Sequence, residues 1–157
     1  MVRALADTHL GAGRLQLARV AYEQILAKRP LDTNALNNLA FILDRQKDPA
    51  AIDVANRAVS AAPNDPLVLD TLGWILVRLG ELQEGLRHLR DAHSRAASNP
   101  EIRYRIASAL YALQRPDEAR RELQVAIQSQ VRFEGIAEAR KLLEKLEHSC
   151  SPTAASR

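Results

Sequence analysis

Residues 65–93, DPLVLDTLGWILVRLGELQEGLRHLRDAH, decide the fold. Asp65 offers a side-chain oxygen that can cap a helix, and Pro66 brings a ring already set to helical φ. Leu69, Leu72, Gly73 and Leu76 then recur at three- and four-residue steps, which places them on one stripe of a helix. Leu79, Gly80 and Glu81 interrupt the run, and a second stripe follows through Leu82, Gly85, Leu86, Leu89 and Ala92. Neither helix can bury its stripe alone, so the pair reads as an antiparallel hairpin that needs neighbours. Gly73 and Gly85, one on each helix, would let the two backbones approach closely.

The neighbours appear when the sequence is shifted against itself. Pro66 to Pro100 is a step of 34, at which Leu72 meets Ile106, Gly73 meets Ala107, Gly85 meets Ala119 and Leu89 meets Leu123. The backward step of 33 to 34 finds Leu36, Leu39, Ala40, Leu43, Ala51, Ala55 and Ala58, and one more finds Val2, Leu5, Ala6, Ala18, Tyr22 and Ile25. This pattern resembles the tetratricopeptide repeat in period and in its alternation of small and large residues. Leu mostly replaces the family's signature aromatics, and the repeat after Ala40 is one residue short. The resemblance implies an all-α right-handed superhelix of antiparallel helix hairpins with a C-terminal capping helix. A single domain over residues 1–147 is expected, with repeats at about 1–31, 32–64, 65–98 and 99–131. The capping helix is expected at 133–147, followed by a disordered tail at 148–157.

The bulk composition agrees with a water-soluble helical domain. Of 157 residues 46% are apolar and 26% charged, whereas only 4% are aromatic. The 22 basic and 19 acidic residues alternate along the helices, and no basic run interleaves with aromatics, so a nucleic-acid footprint is not expected. Cys150 has no second cysteine to pair with. No stretch approaches the ~20 apolar residues that span a bilayer. The first repeat starts partway through a helix, so the chain reads as an excised segment of a longer protein, and a targeting signal could lie in the missing part.

Residues 11–14, GAGR, contain a GxG, but a helix precedes them where a phosphate loop needs a strand, and they read as a turn. Asp48 and Pro49 look like a cap and first-turn proline for the second helix of the second repeat. In the last helix, Ile136, Ala139, Leu143 and Leu146 share one side and charges the other, as a terminal edge requires. His88 and His93 are five apart, which turns them to different faces of a helix, so no metal pair is expected. No pattern of catalytic residues stands out. The expectation is a non-enzyme without metal or cofactor.

In the family that this chain resembles, the first helix of each pair lines the concave side, and that side grips partners. The stripe beside the core stripe is then Asn34, Asn37, Asn38 and Phe41 in the second repeat. It is Leu67, Asp70, Thr71, Trp74 and Arg78 in the third, and Glu101, Tyr104, Arg105, Ser108 and Tyr111 in the fourth. Four of the six aromatics (one Trp, three Tyr and two Phe in all) fall on this wall. Phe41 and Trp74 either fill gaps between neighbouring first helices or form an apolar floor for a peptide. In the second case Asn37, Asn38 and Arg105 would bond its backbone. The family's carboxylate clamp does not carry over. Asn38 fits, but Asp7, Leu67 and Thr71 occupy the neighbouring places, and one register later only Arg105 is basic.

LNNLAFIL (36–43), LDTLGWILVRLG (69–80), PEIRYRIASAL (100–110) and PDEARREL (116–123) also resemble the C-terminal repeats of bacterial tetratricopeptide lipoproteins of exopolysaccharide export. That resemblance implies an envelope assembly scaffold and a periplasmic location. The expected function is a protein-interaction scaffold binding a peptide or partner segment. Two alternatives stand beside it. One is self-association into a homo-oligomer through Val2, Leu5 and Ala6. The other is a sugar-binding groove in which Trp74, Tyr104 and Tyr111 stack on rings.

Overall fold

The computed structural model describes residues 2–148. Among them the regular elements are all helices: α1 (Val2–Gly11), α2 (Leu15–Lys28), α3 (Thr33–Arg45), α4 (Ala51–Ala61), α5 (Pro66–Leu79), α6 (Leu82–Arg95), α7 (Pro100–Ala112), α8 (Pro116–Gln128) and α9 (Ile136–His148). The chain groups into two compact units, the first running through Arg95 and the second beginning at Ala96. In the first unit α1 packs on α2, α3 on α4 and α5 on α6. Further contacts of α2 with α3, α4 with α5 and α3 with α5 join these hairpins. In the second unit α7 packs on α8, and α9 on both.

Local chemistry sets the helix starts. Asp32 accepts from the Ala35 amide at 3.1 Å, Asp65 from Leu67 at 2.9 Å and Asn99 from Glu101 at 2.9 Å. Proline stands at the start of α5, α7 and α8, where no amide donor is needed. The expected start of α4 is corrected: Asp48 accepts from the Ala50 amide at 3.0 Å in a turn, Pro49 stays outside, and α4 begins at Ala51. The last helix also begins later than expected, at Ile136, because residues 130–133 carry no regular structure and 134–135 form a turn. His148, assigned by sequence to the tail, ends that helix, and residues 149–157 lie outside the described residues.

One turn closes all four hairpins. Gly13, Lys47, Gly80 and Gln114, each 33 or 34 residues after the last, adopt φ of 69, 57, 90 and 60°. Behind them the amides of Arg14, Asp48, Glu81 and Arg115 reach back to the carbonyls of His9, Leu43, Leu76 and Leu110, each at 2.9 Å. This six-to-one bond satisfies carbonyls that a helix end would leave orphaned. Only two of the four positions are glycine, so Lys47 and Gln114 adopt a conformation that costs an L-residue about 1–2 kcal/mol.

The hairpin seam is tightest between α5 and α6. A Cβ on Gly73 would sit 2.9 Å from the Gly85 carbonyl oxygen and 3.0 Å from the Leu89 nitrogen. On Gly85 it would lie 2.8 Å from the Gly73 oxygen. Backbone cannot move aside as a flexible side chain can, so both positions require glycine. Around this seam Leu72, Leu76, Leu86 and Leu89 are buried. Polar ties fasten one hairpin to the next: Arg3 to Asp32, Arg19 to Asp48 at 2.9 Å, and Arg78 to Asp44 at 2.8 Å. Arg57 donates to the Pro30 carbonyl at 3.2 Å and Arg95 to Asn64 at 3.0 Å.

Two of these carboxylates carry a pH dependence. Burial opposes ionisation of Asp32, but the Ala35 amide and the Arg3 guanidinium outweigh it and its pKa lies below 3.8. The Ala50 amide, then Arg19, lowers that of Asp48.

Three outcomes are expected. Gly73→Leu loses about 1–3 kcal/mol or more through overpacking, and Gly73→Ala is also destabilising; an unchanged melting curve for both contradicts the seam. Lys47→Gly relieves about 1–2 kcal/mol of strain and gives back about 0.4–1 through the freer unfolded chain, so thermal denaturation should show a net gain of several tenths of a kcal/mol or more. Because Asp32 and Asp48 ionise more readily folded than unfolded, their stabilisation is complete above the ordinary value of 3.8 and disappears as pH falls through their lowered native values. Melting temperatures recorded downward from pH 6 should fall less steeply for Asp32→Asn than for wild type.

Candidate functional site

The expected partner-binding residues fall into two groups, one in each unit. In the first unit α3 and α5 adjoin, which brings the Asn34–Phe41 row beside the row from Asp70 to Arg78. Asn34 is exposed, and Asn37, Asn38 and Phe41 are half-buried. On α5 Trp74 and Thr71 are half-buried, whereas Leu72, Gly73, Ile75 and Leu76 around them are buried. Trp74 is therefore neither sealed in the core nor fully in water. Asp70 is buried, at 7% exposure, and so contributes little open surface.

Several of these groups already have partners. Asn38 donates to the Tyr22 hydroxyl at 2.9 Å, and Tyr22 in turn donates to Asp7 at 2.6 Å. Tyr22 is fully buried; burial first, and then the Asp7 carboxylate, raises its pKa far above the usual phenol value, so it remains a neutral donor. The chain Asp7–Tyr22–Asn38 thus links α1, α2 and α3, a link that the sequence pattern did not reveal because Tyr22 reads there as a core residue. Phe41 packs against the core, and the Arg45 guanidinium lies 5.8 Å from its ring centre. Arg78 reaches Asp44 and lines a cleft of about 320 Å³ with Ile52, Ile75 and Leu79 at the hairpin turn. Asn37 differs: its Oδ1 is buried with no hydrogen-bond donor.

In the second unit, the C-terminal segment occupies much of the α7 row. The Tyr104 ring lies 6.2 Å from that of Phe133, and a Cβ on Gly135 would collide with it. Lys145 sits 5.0 Å from the centre of the Tyr111 ring. Arg105 pairs with Glu101 at 3.2 Å, and the other Glu101 oxygen accepts from the Glu134 amide at 2.9 Å. Ser108 donates back to the Tyr104 carbonyl at 3.0 Å. Sequence spacing put these side chains on one stripe but could not show that residues 133–145 would pack against it.

Other surfaces also differ from expectation. Ala6, grouped by sequence with Val2 and Leu5 as a possible sticky edge, is fully buried, and on α2 Leu17 and Val20 are exposed. Clefts of about 440 and 500 Å³ lie at the α1/α2 and α7/α8 hairpins. Among the described residues no three His, Cys, Asp or Glu side chains converge as a metal site would require. No helix there is long and apolar enough to cross a membrane.

Comparison with known proteins matches this architecture. Tetratricopeptide-repeat family models align with residues 3–66 and 76–146. A TPR repeat-containing protein of Pseudomonas aeruginosa is 37% identical over 73 residues, covering 45% of this chain and 12% of its own length. The interferon-induced protein with tetratricopeptide repeats 3 of Mus musculus is 25% identical over 99 residues, covering 60% and 25%. The chain therefore spans a quarter or less of the curated relatives that it matches. Among solved structures, a thermophilic TPR protein of Thermus thermophilus superposes with a TM-score of 0.75 at 21% identity, covering 94% of this chain and 80% of that one. MamA from Desulfovibrio magneticus RS-1 gives 0.71 at 16%, covering 96% and 95%. With the helix hairpins, their common turn and these matches, the chain belongs to the tetratricopeptide-repeat family, whose fold serves in general as a scaffold for protein–protein contact.

Proposed function

We propose that the α3/α5 row is where this scaffold takes hold of a partner, in the form of an extended peptide segment, and that the chain acts without catalysis. The observation that carries this is Trp74, held half-buried between buried neighbours on α5 beside the amide row of α3. Large aromatics supply much of the energy at interfaces, and a ring already fixed by its surroundings loses little freedom on binding. Asn37 adds direction. A buried acceptor left without a donor costs about 1–3 kcal/mol, and rotation about the soft amide torsion turns it toward an incoming N–H. Asn34 offers a second amide in the same row. In the second unit, the pairing of Tyr104 and Tyr111 with the C-terminal segment makes α7 the weaker candidate. An assembly role in exopolysaccharide export extends this reading, supported by the resemblance of residues 36–43 and 69–80 to lipoproteins of that process.

Trp74 is the single tryptophan, so its emission reports on this row alone. Peptides selected from a random display library against the wild-type chain should shift that emission and bind at least tenfold more weakly to Phe41→Ala. The same peptides should lose binding to Trp74→Ala, which should melt near wild type rather than lose the ~3–5 kcal/mol of a core Trp. Selected peptides that leave Trp74 emission unmoved, or polysaccharide fragments that shift it where peptides do not, would sink the peptide reading.

A further inference from the structure

The α3/α5 row does not end at Arg78. Arg78 and Asp44, joined at 2.8 Å, also line the cleft of about 320 Å³ between the second and third hairpins. Ile75, Arg78 and Leu79 share one face of α5, and Trp74 and Arg78 share the stripe beside it. Row and cleft are therefore neighbours across that ion pair. The second hairpin adds Pro49 and Ile52 to the wall, and Leu79 is 61% exposed. The corresponding place between the first and second hairpins is closed by a polar tie. There Arg19, the residue after buried Ala18, donates to Gln46 at 3.1 Å and to Asp48 at 2.9 Å. One repeat later the residue after buried Ala51 is Ile52, and Leu79 stands where Gln46 does, just before the positive-φ residue of the turn. Apolar side chains thus replace the tie. Glu81, the counterpart of Asp48, makes no ion pair among the described residues.

We propose that this cleft is a second anchor point for the peptide held on Trp74, taking one apolar side chain of that peptide with an acidic residue directly beside it. The proposal rests on the α3/α5 row being the binding surface and specifies what binds there. The volume lies at the lower end of ligand sites, about 300–1,000 Å³, and suits a single large side chain rather than a helix. Such a side chain would meet Ile52, Ile75 and Leu79 and cover apolar surface that now faces water. Charge selects its neighbour. Of the four charged residues lining the cleft, Asp44 pairs with Arg78 and Asp48 with Arg19. Lys47 is exposed and makes no ion pair among the described residues, so a carboxylate on the peptide complements it. Spacing follows from α5. Trp74 and Leu79 are five positions apart, roughly 7.5 Å along a helix that rises ~1.5 Å per residue. An extended chain covers that length in about two or three residues at ~3.3 Å each.

The test uses the whole chain and peptides selected on it from a random display library, synthesised with blocked termini and titrated while Trp74 emission is followed. They should carry an apolar residue next to Asp or Glu, two or three positions from a second large apolar residue. The double variant Ile52→Arg/Leu79→Gln copies the closed junction onto this one, with Glu81 placed to receive the new guanidinium. It should melt near wild type and bind at least tenfold more weakly. Leu79→Gln alone, at an exposed position, should cost at least threefold. Lys47→Gly, expected to be more stable than wild type, should bind at least threefold more weakly, and that loss should vanish for a peptide whose acidic residue is replaced by its amide. Peptides that shift Trp74 emission yet bind all three variants as tightly as wild type leave the row standing and overturn the cleft's part in it. Peptides that bind without moving Trp74 emission, or a selection that yields none, overturn both. Light scattering that shows a wild-type dimer broken by Leu79→Gln would give the cleft to a second copy and also overturns the proposal.

Discussion

The contact on which the first unit turns is the approach of Gly73 to Gly85, where the carbonyl oxygen of each would touch a Cβ built on the other. At that distance two helices exclude water along their whole shared stripe, and leucines at 72, 76, 86 and 89 close over the seam. Association of this kind rests on apolar area and close packing rather than on directed bonds. The other faces of these helices are left to meet the neighbouring hairpin, as α5 does with α3 and α4, or water. The other hairpins use Ala18, Ala40, Ala55, Ala107 and Ala119, all buried, to related effect. Small residues inside and variable ones outside let one architecture present many surfaces.

Directed bonds do a different task, fixing how hairpins meet. The ties from Arg3, Arg19 and Arg78 each run to an acidic residue 29 to 34 positions away. Individually such partly exposed pairs contribute little, in the range of about 0–1 kcal/mol. Their value is in geometry, because a slip of one helix past another breaks them. The Asp7–Tyr22–Asn38 chain is stricter at its centre, since Tyr22 is fully buried and loss of Asp7 takes away the acceptor of its hydroxyl.

The α3/α5 row, proposed as the binding surface of the first unit, is amide and aromatic, suited to a chain whose backbone still needs partners.

Periodicity alone determined the helices and their pairing into hairpins, and marked the turns at residues 11–14 and 79–81. Stripes at Leu69, Leu72 and Leu76, and at Leu86 and Leu89, are local facts that survive any arrangement of the rest. Helix starts at Asp65 and Asn99 were equally legible, since a cap and a proline act over three residues. The start of α4 was not, because Asp48 accepts from the nearby Ala50 amide and from Arg19, 29 positions away, and the sequence does not announce the second bond. Only the tertiary structure decided which stripe residues were already engaged: Asn38 by Tyr22, Phe41 by Arg45, Tyr104 by Phe133 and Gly135, and Tyr111 by Lys145. Spacing tells which side of a helix a residue occupies, whereas its availability depends on what distant parts of the chain bring against that side.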